Sequence, residues 1–223
     1  MGFSFKSLAA AALVLGMGTA ASAATLTIGG DNAYAGSIPG GLDGAPTSPN
    51  NVLTNVFGVN SLDGYFGSQI SVSEDARIKV EYLGFEAGAT NTFTMVNSFT
   101  TSGKFEYAEV GGNLGEFTVD AGAGLLDFIF SSTIGGGKSL ANGASNLNLK
   151  FNFFASFGEA GVTSGKSILL FLDDGGTNPG GGLDDNHDDI AVRLSVVPLP
   201  AGMLLLLTGM GGLAVASRRR KSA

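Results

Sequence analysis

Polar and apolar residues alternate strictly along two segments of the chain, 77–82 and 146–153. A strand with one buried and one solvated face requires this period of two. Less regular alternation predicts further strands at Tyr65–Val72, Thr92–Thr100, Lys104–Val110, Glu116–Val119, Leu125–Ser131, Lys166–Leu172 and Ile190–Val197. Gly, Asn, Asp and Ser fill the gaps, and no segment between them keeps a helical apolar period. We therefore predict an all-β domain, an antiparallel β-sandwich of the jelly-roll-like kind, with few helices.

Phenylalanines occupy many apolar positions of these strands. They are Phe105, Phe117, Phe128, Phe130, Phe151 and Phe153. Such an aromatic stripe is either a platform on which sugars stack or the packed interior of a sandwich. We expect core packing, because the chain has no Trp to form an exposed platform.

The N-terminus has the pattern of an export signal. Lys6 precedes an apolar run at 8–18, and Ala21 and Ala23 are the small residues of a cleavage site. This order of features predicts a signal peptide at 1–23 that signal peptidase removes. The alternative is an ordinary buried Ala-rich helix.

The C-terminus has the pattern of a membrane span. Residues 199–217 contain no charged side chain, and about 20 such residues are needed to cross the hydrocarbon core of a bilayer. A basic tail at 218–221 follows and would be retained on the cytoplasmic side. Its residues are Arg218, Arg219, Arg220 and Lys221. Residues 24–196 then form the exported domain, in which the Gly- and Pro-rich segment 29–51 is predicted to be an irregular loop.

The end of the chain also carries a family resemblance. Its motif is Val197, Pro198, Leu199, Pro200 and Ala201, followed by the apolar span and the basic tail. Region 197–221 resembles the VPLPA variant of the PEP-CTERM sorting region. The resemblance implies a Gram-negative bacterial protein, anchored in the inner membrane as a precursor, cut by an exosortase-type peptidase and passed to the cell surface or matrix. It also implies an association with exopolysaccharide and biofilm. A permanent single-span anchor is the alternative.

Charge and cysteine content restrict the function further. Without Lys6 and the tail, seven basic residues face all 19 acidic ones, so the exported part carries a net charge of −12. Such an acidic domain is a poor partner for nucleic acid, which attracts basic surfaces. The chain has no Cys, which excludes disulfides, thiolate metal sites and thiol nucleophiles.

Six carboxylates crowd a Gly-rich loop between the last two predicted strands. Calcium takes oxygen ligands from carboxylates and amides and would relieve the repulsion between these like charges. Asp184, Asn186 and Asp188 alternate as in a calcium-binding loop, and Asp173, Asp174 or Asp189 could complete the ligand shell. The loop is not an EF-hand, because Asp189 and Ser195 stand where Gly and Glu are required. A solvated acidic turn is the alternative.

Enzyme chemistry has little support in this sequence. His187 is the only His, and we expect it to be a solvated loop residue rather than a base or a metal ligand. A pair of catalytic carboxylates, as in glycosidases, remains open because sequence does not show spatial separation. We therefore expect a non-enzymatic surface or matrix protein, with a calcium-dependent carbohydrate-binding module and, less favoured, a polysaccharide hydrolase as alternatives.

Overall fold

A computed structural model describes residues 24–39, 51–101, 105–144, 151–175 and 187–197. These residues form short strands and very little helix. A π-helix spans Leu53–Phe57 and a 3₁₀ turn spans Ile134–Gly136. The strands, numbered in chain order, are β1 Leu26–Gly29, β2 Tyr34–Pro39, β3 Ser61–Phe66, β4 Gln69–Val72, β5 Ala76–Glu86, β6 Asn91–Met95, β7 Asn97–Thr100, β8 Phe105–Tyr107, β9 Gly115–Ala121, β10 Gly124–Leu125, β11 Ile129–Ser132, β12 Lys138–Ala141, β13 Asn152–Ser156, β14 Ser164–Gly165, β15 Ser167–Asp173 and β16 Ile190–Val197.

The largest sheet has eight antiparallel strands. Seven of them run in the order β2-β3-β13-β15-β16-β5-β8, and β9 pairs with β5 next to β8. The long strand β5 changes partner from β9 to β8 around Gly84, where its pairing with β16 also shifts register. Gly84 has a φ of 145°, and a Cβ there would lie 2.5 Å from the carbonyl oxygen of Glu106. Only glycine permits that close approach of the two backbones.

Two smaller antiparallel sheets pack against one face of the large sheet. Their strand orders are β10-β4-β1-β14 and β12-β11-β6-β7. Leu26 and Ile70 from the first, Phe93 and Phe130 from the second, and Phe153 from the large sheet belong to one buried apolar cluster. The described residues therefore form sandwich-like layers around a shared core, because inward side chains from all three sheets meet there.

A second, smaller apolar cluster lies on the opposite face of the large sheet. Val52, Leu53 and Val56 from the π-helix segment pack there with Phe154 and Phe171. Phe153 and Phe154 belong to different clusters because consecutive side chains of a strand point to opposite faces. The eight-stranded sheet is thus covered on both sides over this part of its area.

The structure confirms a mostly-β chain with antiparallel sheets and few helices. The predicted strand 190–197 is found with the same bounds, and 77–82 lies inside β5. Predicted strand 92–100 is two strands, because the chain reverses at Val96. The prediction of a strand at 146–153 is wrong at residue 151, since β13 begins at Asn152, and residues 145–150 lie outside the described residues.

Two further expectations have clear outcomes. The expectation of an irregular loop at 29–51 is wrong for residues 34–39, which form β2 because they pair in register with β3. The expected aromatic core is confirmed for Phe128, Phe130, Phe151 and Phe153, which are buried, and Phe117 packs against that core. The side chain of Phe105 lies outside the described residues.

The predicted targeting segments lie almost wholly outside the described residues. These are the signal peptide with Ala21 and Ala23, the sorting residues Pro198, Leu199, Pro200 and Ala201, the span 199–217, and the basic residues at 218–221. Val197 is the last residue of β16. Within the described ranges, no helix has the length and apolar character to cross a membrane.

Candidate functional site

The two ends of the acidic loop meet where neighbouring strands β15 and β16 end and begin. Asp173 is the last residue of β15, and Asp189 immediately precedes β16. The amide N–H of Asp174 donates to Oδ2 of Asp189 at 2.6 Å, and the N–H of Asp189 donates to the carbonyl of Leu172 at 3.2 Å. Antiparallel pairing of the two strands therefore brings four of the six loop carboxylates together.

These four carboxylates are buried. The exposed fraction is 1% for Asp173, 2% for Asp174, 0% for Asp188 and 6% for Asp189. The alternative of a solvated acidic turn is therefore wrong at the two ends of the loop. Buried carboxylates need hydrogen bonds, a counter-charge or a bound proton, since an unpaired charge is costly away from water.

Asp174 and Asp189 face the end of the small sheet that contains β6, β11 and β12. Asn91 Nδ2 donates to Asp174 Oδ2 at 2.9 Å and to the carbonyl of Asp189 at 3.3 Å. Ser132 Oγ donates to the same Asp174 oxygen at 3.4 Å, and Lys138 Nζ donates to the Asp174 carbonyl at 3.2 Å. Asn91, Ser132 and Lys138 sit at paired positions of the three strands, so the sheet presents them as one row.

Asn91 carries an orphaned acceptor beside these carboxylates. The residue is fully buried, and none of the residues that the structure describes donates a hydrogen bond to its Oδ1. Its amide nitrogen already contacts Asp174 and Asp189, so the bare amide oxygen lies at the same cluster. A buried amide oxygen without a donor is rare, because it loses the hydrogen bonds that water would supply.

Asp188 faces the other side of the large sheet. Its Oδ2 accepts from the backbone N–H of Val52 at 3.2 Å and from Asn51 Nδ2 at 3.5 Å. Its carbonyl accepts from the N–H of Glu86 at 2.7 Å, so β5 also fixes its position. Adjacent residues Asp188 and Asp189 contact different elements, as expected where consecutive side chains point apart.

His187 is buried, so the expectation of a solvated loop residue is wrong. Its Nε2 lies 2.8 Å from Oδ1 of Asn152, and its ring makes edge contacts with Phe66 and Phe154. The apolar surface of the smaller cluster covers the imidazole, which is why the ring is removed from solvent. Its backbone has a φ of 59°, a left-handed conformation that few non-glycine residues adopt.

The electrostatics of the cluster act most strongly on Asp189. Burial raises the pKa of its carboxyl well above the ordinary value, and the charges of Asp174, Asp188 and Asp173 raise it further. The hydrogen bond from the Asp174 backbone opposes that shift. The cluster therefore favours a state in which negative charge is neutralised.

The structure brings together only part of the predicted ligand set. Asp173, Asp174, Asp188 and Asp189 lie close together along the strand ends, but Asp188 points to the opposite side of the large sheet from Asp174 and Asp189. Asp184 and Asn186 lie outside the described residues. In the part of the chain that the structure describes, no three His, Asp or Glu side chains are arranged to hold a metal ion. The six-residue calcium site stays a prediction.

Sequence reasoning missed Asn91, Ser132, Lys138 and Asn51 as neighbours of the loop. Asn91 is 83 residues from Asp174 in the chain, and nothing in its local sequence marks it as a ligand. Sheet pairing places Asn91, Ser132 and Lys138 at the loop, whereas Asn51 reaches Asp188 from the segment just before the π-helix. Comparison with protein-family models, curated proteins and solved structures finds no match for this chain.

Proposed function

We propose that this chain is an exported, non-enzymatic protein of the cell surface or extracellular matrix, built on a jelly-roll-like antiparallel β-sandwich and stabilised by calcium. In this proposal signal peptidase removes residues 1–23, and an exosortase-type peptidase recognises the motif beginning at Val197. The paired terminal patterns support export and sorting. The antiparallel layers support the sandwich architecture.

The cluster of Asp174, Asp189 and Asn91 carries the calcium part of the proposal. Two buried carboxylates lie beside a buried amide oxygen that receives no hydrogen bond from the described part of the chain. Calcium binds oxygen from carboxylates, amides and backbone carbonyls, so the ligand set needs no third acid. Ser132 Oγ and the carbonyl of Asp189 supply further oxygens at this place.

A cation at this cluster would add to the positive charge that Lys138 already brings to it. The lysine ammonium contacts the backbone carbonyl of Asp174, and it lies 5.4 Å from the ring centre of Phe151. The ammonium thus lies at the end of β15 where the carboxylates of Asp174 and Asp189 are both buried. A divalent ion bound there would neutralise negative charge that is held away from water.

Thermal unfolding of the full chain in mild detergent, with calcium or with a chelator, tests the calcium proposal. At a free calcium concentration of about 100 times the dissociation constant, binding adds about 2.7 kcal/mol to the free energy of unfolding. The Asp174→Asn/Asp189→Asn double variant should lose this calcium dependence. Asp120→Asn is the matched control, because that exposed carboxylate pairs with Arg77 at the surface. Equal stability of the native chain in calcium and chelator would refute the proposal.

Intact-mass measurement of protein from membranes and culture medium tests export and sorting. We expect a released species that begins near Ala24 and ends near Val197. A species in membranes that keeps residues 198–223, with none released, would favour the permanent anchor over sorting.

The alternative of a calcium-dependent carbohydrate-binding module predicts a different result. A glycan array probed with and without calcium should then show retention that the chelator removes. Retention on no glycan would favour a purely structural matrix protein. A hydrolase would need two carboxylates facing one cleft about 5 to 9.5 Å apart.

A further inference from the structure

The solvent face of the sheet β12-β11-β6-β7 is rich in hydroxyl groups. Phe93, Phe130 and Leu140 point into the core from β6, β11 and β12. The residues that alternate with them along each strand therefore point outward. The outward hydroxyl residues define the hydroxyl face: Thr92, Thr94, Ser98, Thr100, Ser131 and Ser139. No residue of this face is charged.

Strand register arranges these hydroxyls in regular rows. Ser139, Ser131, Thr92 and Thr100 are directly paired across the four strands. Hydroxyl oxygens of Thr92 and Thr100 lie 3.2 Å apart, which confirms that these neighbours share one side. Neighbouring strands are about 4.8 Å apart, and alternate residues along a strand about 6.8 Å. The face therefore repeats hydroxyls in two directions.

The opposite outer surface of the molecule has different chemistry. On the large sheet, Lys79 pairs with Glu81 at 3.0 Å and with Glu116 at 3.6 Å, and Arg193 pairs with Glu81 at 3.6 Å. Arg77 pairs with the exposed Asp120 at 2.9 Å. These charged pairs distinguish the outer surface of the large sheet from the uncharged hydroxyl face.

We propose that the hydroxyl face binds a neutral polysaccharide chain. Each Ser or Thr hydroxyl both donates and accepts, as sugar hydroxyls do, so a row of them matches a polymer of repeating hydroxyl groups. Ile129, paired with Thr94 and 38% exposed, adds apolar surface for the C–H face of a sugar ring. The net charge of −12 on the exported part repels anionic polymers, which leaves a neutral one as the favoured partner.

This inference rests on the proposed function only for the location of the chain at the cell surface or in the extracellular matrix. The hydroxyl face contains none of the acidic-loop residues, so binding to it needs no calcium. Failure of calcium to stabilise the chain would leave this inference intact, and failure of polysaccharide binding would leave the calcium proposal intact.

Binding of the full chain in mild detergent to insoluble cellulose, and its retardation in gels containing a soluble neutral β-glucan, test the proposal. The Thr92→Val/Thr94→Val/Thr100→Val variant keeps side-chain shape and strand preference while removing three hydroxyls. We expect it to lose about tenfold or more in affinity, because each lost hydrogen bond weakens binding several-fold. Thr118→Val, an exposed threonine on β9, is the matched control and should bind as the native chain does.

The outcomes distinguish a neutral polysaccharide from an anionic polymer or a second copy of the chain as the partner of the hydroxyl face. Calcium-independent binding to a neutral glucan that only the triple variant loses supports the proposal. Absence of binding to cellulose and to the β-glucan, or equal binding by the triple variant, overturns it. Binding to alginate, an anionic polymer, in preference to neutral glucan would also overturn it. A change of oligomeric state in the triple variant, without any glucan binding, would instead identify the face as a contact between copies.

Discussion

Tyr82 connects a single side chain to the pH dependence of stability. The ring is buried and stacks on Phe99 with ring centres 5.3 Å apart. Burial raises the pKa of its phenol above the ordinary value, and the nearby Glu106 carboxylate adds to the shift. Because the folded state disfavours the phenolate, we expect full stability below pH about 10, the ordinary pKa of tyrosine, and a progressive loss above it.

Urea unfolding across alkaline pH measures this effect. The Tyr82→Phe variant should show a smaller fall in unfolding free energy above pH about 10 than the native chain. Tyr34→Phe is the control, because it removes a phenol hydroxyl from a side chain that is 47% exposed. An identical alkaline fall in native chain and Tyr82→Phe would contradict the assignment.

At the same scale, the sequence located the acidic residues of the candidate site but not their environment. Charge crowding identified Asp173, Asp174, Asp188 and Asp189 because like charges close in sequence are visible without a fold. Their burial and the contact with Asn91 depend on strands far apart in the chain. The prediction of a solvated His187 is wrong for the same reason, since the aromatic rings that cover it come from other strands.

Among the elements, Asn142 joins the two small sheets, which share no strand pair within the described residues. Its Oδ1 accepts from the N–H of Ile70 on β4 at 2.9 Å. Its Nδ2 donates to the carbonyls of Ile70 and Leu126, both at 2.7 Å. All three residues are buried, and Asn142 follows β12 of the other small sheet. This one amide therefore substitutes for strand pairing between the two small sheets.

Removing that amide should be costly. Asn142→Ala leaves the Ile70 N–H and the Leu126 carbonyl without these partners, and we expect a loss of about 2–4 kcal/mol in unfolding free energy. Chemical denaturation measures the change. Asn97→Ala, at an exposed position of β7, is the control and should change stability by less than about 0.5 kcal/mol. A loss at Asn142 no larger than that at Asn97 would show that water replaces the amide.

Clear alternation predicts where strands lie. A reversal is not predicted when the residue at its tip is not a usual turn residue. Segment 77–82 shows strict alternation and lies in β5, which buries one side of it in the core. The reversal between β6 and β7 has Val96 at its tip with a φ of 67°. A β-branched residue rarely adopts this conformation, so Val96 is not a residue from which the tip of a hairpin would be predicted. Short β2 was missed because its Gly and Pro content resembles a loop.

For the whole molecule, alternation predicted an antiparallel layered fold but not the order of strands. Pairing partners such as β13 with β3 are far apart in sequence, and sheet order depends on which inward faces pack together. The division of one layer into two small sheets had no sequence signal. The hydroxyl face likewise became visible only when register aligned Thr92, Thr100, Ser131 and Ser139.

Because the three sheets share one core, we expect them to unfold cooperatively. Phe153 of the large sheet is fully buried, and its ring centre lies 5.6 Å from that of Phe128 and 5.7 Å from that of Phe130. Phe153→Ala should lower the unfolding free energy by about 3–5 kcal/mol, through lost burial and the cavity left behind. Since all three sheets contribute to that core, amide exchange should accelerate together in β1, β6 and β13. Leu125→Ala, at an exposed position of β10, is the control. Faster exchange in β13 alone would mean that the sheets unfold independently.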